Sequence, residues 1–285
     1  MSVIQVGIAD RTRQIDPELL QETAAALAIQ VTRDLGPVWN VQATVRALPS
    51  ATHIPVGVWP VFLVASLPPG EGGFHLDKKN QPFAEVIATP DSNDWTIDAS
   101  HEILEMLVDP MGNRLQTSLA IKISGNGVKD TTGDFEYLVE ACDPCEANDF
   151  AYEIQGIAVS DFITPRFYDP VATSGTRYSF GGNIKAPRQI LPGGYISFVD
   201  PETDHMEQIL LLGPKPQFKD LGPATGSSLR AFVDGQTYQP VLENRKPNTA
   251  LSERCAEHRR KRAAAANARG ALYTRLASAS AGSTT

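Results

Sequence analysis

The order of apolar and polar positions predicts strands and one helix in the first third of the chain. A helix is predicted over 17–35, because apolar residues recur there at helical spacing and Asp16 and Pro17 suit its N-cap and first position. Gly36 and Pro37 end it. The segments predicted as strands are 2–9, 41–48, 56–66 and 82–89. This order indicates a sheet with a helix packed on it.

A second helix is predicted from Trp95 to Val108, because Pro110 prevents its continuation. Apolar residues occupy most of its sides, which is typical of a buried helix. Its polar residues therefore need partners inside the protein.

The rest of the chain contains more turns than long periodic segments. Among its 285 residues the protein has 22 Gly and 21 Pro, a content that favours many turns and ordered loops over a helical bundle. We therefore predict an α+β domain over 1–212 with a loop-rich C-terminal half. A Gly/Pro-rich linker or extension is predicted over 213–248, and a basic helical tail over 249–285.

Charge is distributed unevenly along the chain. The net charge is −8, yet the part from Arg245 onward has nine Lys and Arg against two Glu, a net of +7, which leaves −15 on the preceding body. An acidic body disfavours sequence-independent binding to nucleic acid, which depends on neutralising phosphates. The basic tail is free to contact an acidic assembly partner.

The predicted location follows from what the N-terminus and the apolar runs contain. The first residues have no basic region and no small-residue cleavage site, so a Sec signal is not expected. The longest apolar runs are too short to span a bilayer. Three cysteines are too few for a disulfide framework. We therefore expect a cytoplasmic or virion-associated protein without a membrane partner.

The predicted second helix carries residues that suit metal chemistry. His101 and Glu105 are four residues apart and therefore lie on one helix face. The His-Glu-x-x-His signature of zinc metallopeptidases presents two ligands in this way, and a carboxylate is also a legitimate zinc ligand. Glu102 occupies the position of the general base. A metal there would lower the pKa of a coordinated water from 15.7 toward about 7.

A second acidic cluster follows the helix at Glu140, Asp143 and Glu146. Uncompensated carboxylates in an apolar interior would each cost several kcal/mol. A bound cation is a simple way to satisfy them. The alternatives are a hydrogen-bond network and protonation.

Three motifs together resemble a zincin-like family of bacterial and phage proteins. They are Ser-His-Glu-x-x-Glu-x-x-x-Asp-Pro over 100–110, Glu-x-x-Asp-Pro over 140–144 and Val-Ser-x-Phe-x-x-Pro over 159–165. The resemblance covers about residues 74–200. It implies a zincin-like mixed sheet with a central helix of the active-site type.

The metal ligands expected from this resemblance are His101, Glu105 and Glu140, since one large class of zincins takes a glutamate from a downstream element. Asp143 is the alternative third ligand. Asp109 lies about 12 Å from His101 along a straight helix, so it more plausibly ends the helix or orients a ligand. The expected cofactor is one divalent cation, with Zn²⁺ favoured and Ca²⁺ or Mn²⁺ as alternatives.

Several other residues carry weaker signals. Cys142 and Cys145 suit half a zinc site or a redox pair, but a structural or incidental pair is favoured because no second Cys pair exists. His75 is interpreted as a surface histidine rather than part of a cleft. Tyr168 and Tyr195 are interpreted as packing residues rather than donors to an oxyanion.

Two hypotheses follow. The first is a metal-dependent hydrolase, a metallopeptidase acting on a peptide or protein substrate with Glu102 as the base. The second is a non-catalytic zincin-like structural or assembly protein, for example a virion component, whose acidic cluster binds a structural cation or closes a hydrogen-bond network. The general-base glutamate favours the first hypothesis. The missing second histidine and the absent signal favour the second.

Overall fold

The computed structural model describes residues 3–67, 72–90, 92, 94–244 and 246–281. The strands, in chain order, are β1 (Ile4–Asp10), β2 (Ala43–Ala47), β3 (Val58–Val64), β4 (Gly73–Lys78), β5 (Gln81–Ile87), β6 (Leu115–Ser124), β7 (Gly127–Leu138), β8 (Tyr152–Ile154), β9 (Ile157–Val159), β10 (Tyr195–Asp200), β11 (His205–Leu210) and β12 (Gln217–Pro223). The helices are α1 (Pro17–Ile29), α2 (Gly36–Trp39), α3 (Trp95–Val108), α4 (Leu229–Asn244) and α5 (Thr249–Ala281). The protein is 31% helical and 32% strand, which agrees with the predicted α+β class.

The first sheet has the order β2-β1-β3-β5-β4. Its strands are parallel except β4, which pairs antiparallel with β5 at the edge. Helix α3 packs against β4 and β5. Alternation along β4 directs His75 to the buried side of the strand, where it meets α3. The edge strand thus contributes a polar side chain to the surroundings of the central helix.

The second sheet is antiparallel, with the order β12-β11-β10-β7-β6. Strand β7 ends at Leu138, and the chain then passes through a short 3₁₀ turn at Asp143–Cys145. This connection is buried against the core rather than exposed to solvent. It brings the second acidic cluster of the sequence to α3.

A polar contact fixes the start of α3 against the rest of the core. The first long helix continues past α1 as a π-helical stretch, Gln30–Leu35, and the side chain of Gln30 is fully buried. Ser100 Oγ donates to Gln30 Oε1 at 2.8 Å, and the backbone N–H of Ser160 donates to Ser100 Oγ at 2.9 Å. These bonds hold α3 and the loop after β9 in a fixed relative position.

The predicted strands and helices of the N-terminal half are confirmed, with bounds that differ by a few residues. The prediction that Gly36 and Pro37 end the first helix is wrong, because both lie in the first turn of α2, where the missing N–H of a proline costs no hydrogen bond. The helical stretch ends instead at Asn40, which adopts the left-handed conformation.

The segment 213–248, interpreted from its Gly and Pro content as a linker or extension, contains β12 and α4. It is part of the packed structure, because β12 completes the second sheet and Val233 of α4 is buried against Leu138 and Met206. These elements were not predicted, because the Gly and Pro residues around them are typical of turns and loops.

The C-terminal helix α5 contacts the body through its first half, where Arg259 Nη1 donates to the backbone oxygen of Gly156 and Arg262 Nη1 to that of Gln155. Leu251 and Cys255 are buried against Ile97 and Ala158, whereas most of the described side chains beyond them are exposed. Within the described residues, no helix has both the length and the apolar composition required to cross a bilayer.

Candidate metal centre

Helix α3 presents His101, Glu102 and Glu105 to the interior of the protein. Their exposed fractions are 5%, 1% and 0%. The reason is local: apolar neighbours surround these positions in the helix, and strands, loops and α4 cover it. Burial of this kind requires partners for every charge.

His101 contacts two carboxylates. Its Nε2 lies 3.1 Å from Glu105 Oε2, as the spacing of four residues predicted, and 3.4 Å from Asp143 Oδ1. Burial disfavours the imidazolium, but the charge of Glu105 and the contact with Asp143 outweigh it. The pKa of His101 therefore lies well above its usual value.

A residue that the sequence analysis did not single out, Arg230 of α4, enters the same cluster. Its Nη1 donates to Glu105 Oε2 and to Glu140 Oε2, and its Nε donates to Asp234 Oδ2 at 2.9 Å. Its Nη2 lies 3.6 Å from Glu102 Oε2. The arginine side chain is 1% exposed. One guanidinium thus contacts four carboxyl groups.

The two glutamates that share Arg230 Nη1 have opposite pKa shifts. Burial raises the pKa of both, but Glu105 faces Arg230 and His101, and its pKa lies well below the usual value. Glu140 faces Arg230 together with the negative charges of Glu105, Asp143 and Asp109, and its pKa lies well above the usual value. At Glu140, burial and the neighbouring carboxylates together outweigh the attraction of Arg230, so the protonated form is favoured.

His75 of β4 is fully buried, so its interpretation as a surface histidine is wrong. Its Nε2 is 3.1 Å from the backbone oxygen of Asp109, and its Nδ1 is 3.3 Å from Glu102 Oε2. A carbonyl oxygen only accepts, so Nε2 carries a hydrogen. The alternative, a position lining a cleft, was set aside because β4 was not predicted as a strand.

Asp109 has the role that its distance from His101 predicted. It follows α3 directly, and its Oδ2 accepts a hydrogen bond from the backbone N–H of Arg114 at 2.7 Å. Through its backbone oxygen it also holds His75, which in turn contacts Glu102. Asp109 thus orients a neighbour of the central helix.

Among the described residues, three carboxylate oxygens of the cluster have no hydrogen bond, namely Glu140 Oε1, Asp143 Oδ1 and Asp234 Oδ1, and these residues are at most 7% exposed. Asp143 Oδ1 has the longer ionic contact of 3.4 Å with His101 Nε2. Burial and the nearby Glu105 raise the pKa of Asp143 to about 6. Unsatisfied acceptors are costly in a protein interior, so these atoms indicate a missing cation or proton.

Cys142 also borders the cluster. Its backbone N–H donates to Glu105 Oε1 at 2.9 Å, and its Sγ lies 3.8 Å from the backbone oxygen of His101. Cys142 and Cys145 are both buried and free. Burial and the charge of Glu105 hold the pKa of the Cys142 thiol well above its usual value.

Three groups of potential metal ligands have all their ligand atoms within 4.8 Å of one another in the described part of the chain, and each contains Glu105. The groups are His101–Glu105–Cys142, His75–Glu102–Glu105 and Glu105–Glu140–Asp143. Glu140 therefore approaches Glu105 but does not share a group with His101. The role of Glu140 as third ligand stays a prediction. Cys142 and Asp143 are further candidates, because each shares a group with Glu105.

The tyrosines named in the sequence analysis are packed in the core. Tyr168 is 9% exposed and stacks at a tilt against Tyr137, with ring centroids 6.0 Å apart. Tyr195 is 2% exposed. An open cleft of about 530 Å³ lies close by, lined by residues that include Glu146, Asn148 and Gly193. It reaches the loop that carries Asp143.

Comparison with known proteins adds no family to this geometry. No family model matches the chain, and no curated protein or solved structure is significantly similar to it.

Proposed function

We propose that the protein is a metal-dependent hydrolase of the zincin type that acts on peptides. His101 and Glu105 of α3 hold one divalent cation, with Zn²⁺ favoured, and Glu140 or Asp143 completes the protein ligands. The observation that carries this proposal is the presence beside Glu105 of two buried carboxylate oxygens without a hydrogen bond to any described residue, Glu140 Oε1 and Asp143 Oδ1. The second lies 3.4 Å from Nε2 of the proposed ligand His101.

The balance of charge supports a cation in this place. Five carboxyl groups are in ionic contact within the cluster, namely those of Glu102, Glu105, Glu140, Asp143 and Asp234. The positive partners are Arg230 and the imidazoles of His75 and His101. If all five carboxyl groups and both imidazoles were charged, the carboxylates would exceed the cations by two. In the metal-free protein, the raised pKa values of Glu140 and Asp143 allow protons to close this difference, and a divalent ion would close it in their place.

The remaining groups of α3 suit hydrolysis. A bound divalent cation supplies a Lewis acid and an acidified water. Glu102 follows the first ligand in the helix, and its carboxylate is held by His75 and faces Arg230. These neighbours, against the effect of burial, lower the pKa of Glu102, so it is ionised and able to accept a proton. The mixed sheet with α3 beside its antiparallel edge strand supports the zincin assignment.

Metal analysis of purified protein tests the proposal. Wild-type protein should contain about one equivalent of metal, and Glu105→Ala should empty the site because Glu105 belongs to every candidate group. Glu102→Gln should retain the metal and abolish hydrolysis of a peptide library. Wild-type protein without metal after incubation with Zn²⁺ contradicts the assignment, as does unchanged metal content in Glu105→Ala.

A second function, a non-catalytic zincin-like structural or assembly protein, is supported by a different observation. Arg230 Nη1 already lies between the carboxylates of Glu105 and Glu140, so the guanidinium itself can serve as the structural cation. In that case the basic tail from Arg245 onward would bind an acidic assembly partner, in the cytoplasm or in a virion. Metal-free wild-type protein with unchanged stability in the presence of a chelator favours this function.

A further inference from the structure

We propose that Cys142 is a sulfur ligand of the metal centre and thereby selects zinc over calcium and manganese. This inference rests on the proposed function, because it concerns the third ligand of the same cation. It assigns a role to a cysteine that the sequence alone favoured as structural or incidental.

The position of Cys142 relative to α3 is the first argument. Its Sγ, a ring nitrogen of His101 and a carboxylate oxygen of Glu105 lie within 4.8 Å of one another, and all three residues are buried. In a tetrahedral zinc site with bonds of about 2.0–2.3 Å, such atoms are about 3.3–3.6 Å apart. Small rotations of the side chains are enough to reach this geometry.

A backbone hydrogen bond holds Cys142 in place beside Glu105. The N–H of Cys142 donates to Glu105 Oε1, so the ligand carboxylate fixes the residue that carries the sulfur. The thiol itself has a long contact, 3.8 Å, with the backbone oxygen of His101 and a hydrogen bond with the side chain of Ser160. Because sulfur is a weak donor and a weak acceptor, little is lost when it turns from these partners toward a cation.

The second argument concerns Glu140, the alternative third ligand, which is already hydrogen-bonded to Arg230. Arg230 Nη1 donates to both Glu105 Oε2 and Glu140 Oε2, so a cation held by these two glutamates would meet the repulsion of the guanidinium at both ligands. With Cys142 in place of Glu140, only Glu105 among the proposed ligands is shared with the arginine. Asp143 Oδ1, which has no hydrogen bond among the described residues and lies 3.4 Å from His101 Nε2, is available as a fourth donor.

The chemistry of this ligand set explains the selectivity. Thiolate is a soft ligand that favours zinc, whereas calcium and manganese favour oxygen donors. Binding converts the Cys142 thiol into a zinc-bound thiolate, and the S–H proton passes to bulk solvent. Metal uptake should therefore release a proton that variants without this sulfur do not release.

X-ray absorption at the zinc edge of the wild-type full chain tests the ligand directly and needs no variant. The expected spectrum contains one sulfur at about 2.3 Å together with nitrogen or oxygen neighbours at about 2.0 Å. Zinc bound with nitrogen and oxygen neighbours alone overturns the sulfur ligand and leaves the proposed function intact. Absence of zinc uptake overturns both.

Matched cysteine variants identify which sulfur is bound. Cys142→Ser should lose the sulfur signal and weaken zinc affinity by at least about tenfold. Cys145→Ser is the control, because Cys145 is also buried and free yet belongs to none of the candidate groups. It should keep both the signal and the affinity. A sulfur signal that disappears in Cys145→Ser and persists in Cys142→Ser overturns the assignment.

Discussion

The two groups of charged side chains that meet at Glu105 differ in how well their charges are matched. Around Arg230, a guanidinium with five donor hydrogens faces carboxylates of Glu105, Glu140 and Asp234. Around His101, an imidazole faces Glu105 and Asp143, and Asp143 Oδ1 has no hydrogen bond. The first group contains its own permanent cation. The second contains only a titratable one, which is why it is the better place for a metal.

The difference shows that burial of acidic residues alone does not locate a metal site. Both groups are buried, and the one around Arg230 has more carboxyl groups than the one around His101, three against two. The group with more carboxyl groups is nevertheless the one that has its own arginine, and an arginine remains charged at every relevant pH. The following variants and conditions test that difference.

The largest change in the stability of the folded protein is expected for Arg230→Met. The substitution keeps an unbranched chain of similar length but leaves several buried carboxylates without their cation, so the free energy of unfolding should fall by about 3–5 kcal/mol. Denaturant titration measures it. Arg166→Ala is the control, since the Arg166 side chain is 68% exposed and its ion pair with Asp169 is worth at most about 1 kcal/mol. Equal stability of the two variants would show that the arginine group is not a matched ionic unit.

An intermediate change in stability is expected when the pH of the metal-free protein is varied. The pKa of Asp143 is raised from 3.8 to about 6, so the folded state binds this proton more tightly than the unfolded state. The resulting stabilisation is complete below pH about 4 and is lost as pH rises through about 6, a change on the order of 2–3 kcal/mol.

Unfolding curves recorded with a chelator between pH 4 and pH 7 check this dependence. Asp143→Asn should flatten it, because the substituted amide does not titrate. The groups around Asp143, namely His101, Glu105 and Arg230, stay in place as the common background. An unchanged slope in Asp143→Asn would assign the pH dependence to another group.

The smallest change in stability is expected when zinc is added to the protein. A ligand that binds only the folded state at ten times its dissociation constant stabilises that state by about 1.4 kcal/mol. Wild-type protein should show the corresponding rise in melting temperature at neutral pH, and Glu105→Ala should show none. A rise of the same size in Glu105→Ala would place the zinc elsewhere in the protein.

The sequence was sufficient for features that depend on local patterns. The helix Trp95–Val108 followed from its apolar surroundings and from Pro110, and the approach of His101 to Glu105 followed from their spacing of four residues. The role of Asp109 at the helix end followed from the rise per residue. Each of these inferences uses only neighbours in the chain.

The parts that the sequence could not supply depend on distant contacts. Arg230 lies 125 residues from Glu105, in a segment interpreted as a linker or extension, and no periodicity connects the two. The burial of His75 was not predicted, because β4 was not recognised as a strand and its contact with α3 is a distant one. The charge imbalance of the acidic clusters did indicate that a cation was required, but it did not distinguish a metal from a side chain.

The C-terminal helix determines how charge is distributed over the molecule. At about 1.5 Å per residue, the 33 residues of α5 extend about 50 Å, and its contacts with the body run from Leu251 to Arg262. Arg259 and Arg262 donate to backbone oxygens of the body, so the basic run of the helix lies beside a strongly acidic surface. The molecule therefore presents an acidic body and a basic helix, and at neutral pH and low salt it should adhere to both anion-exchange and cation-exchange resins.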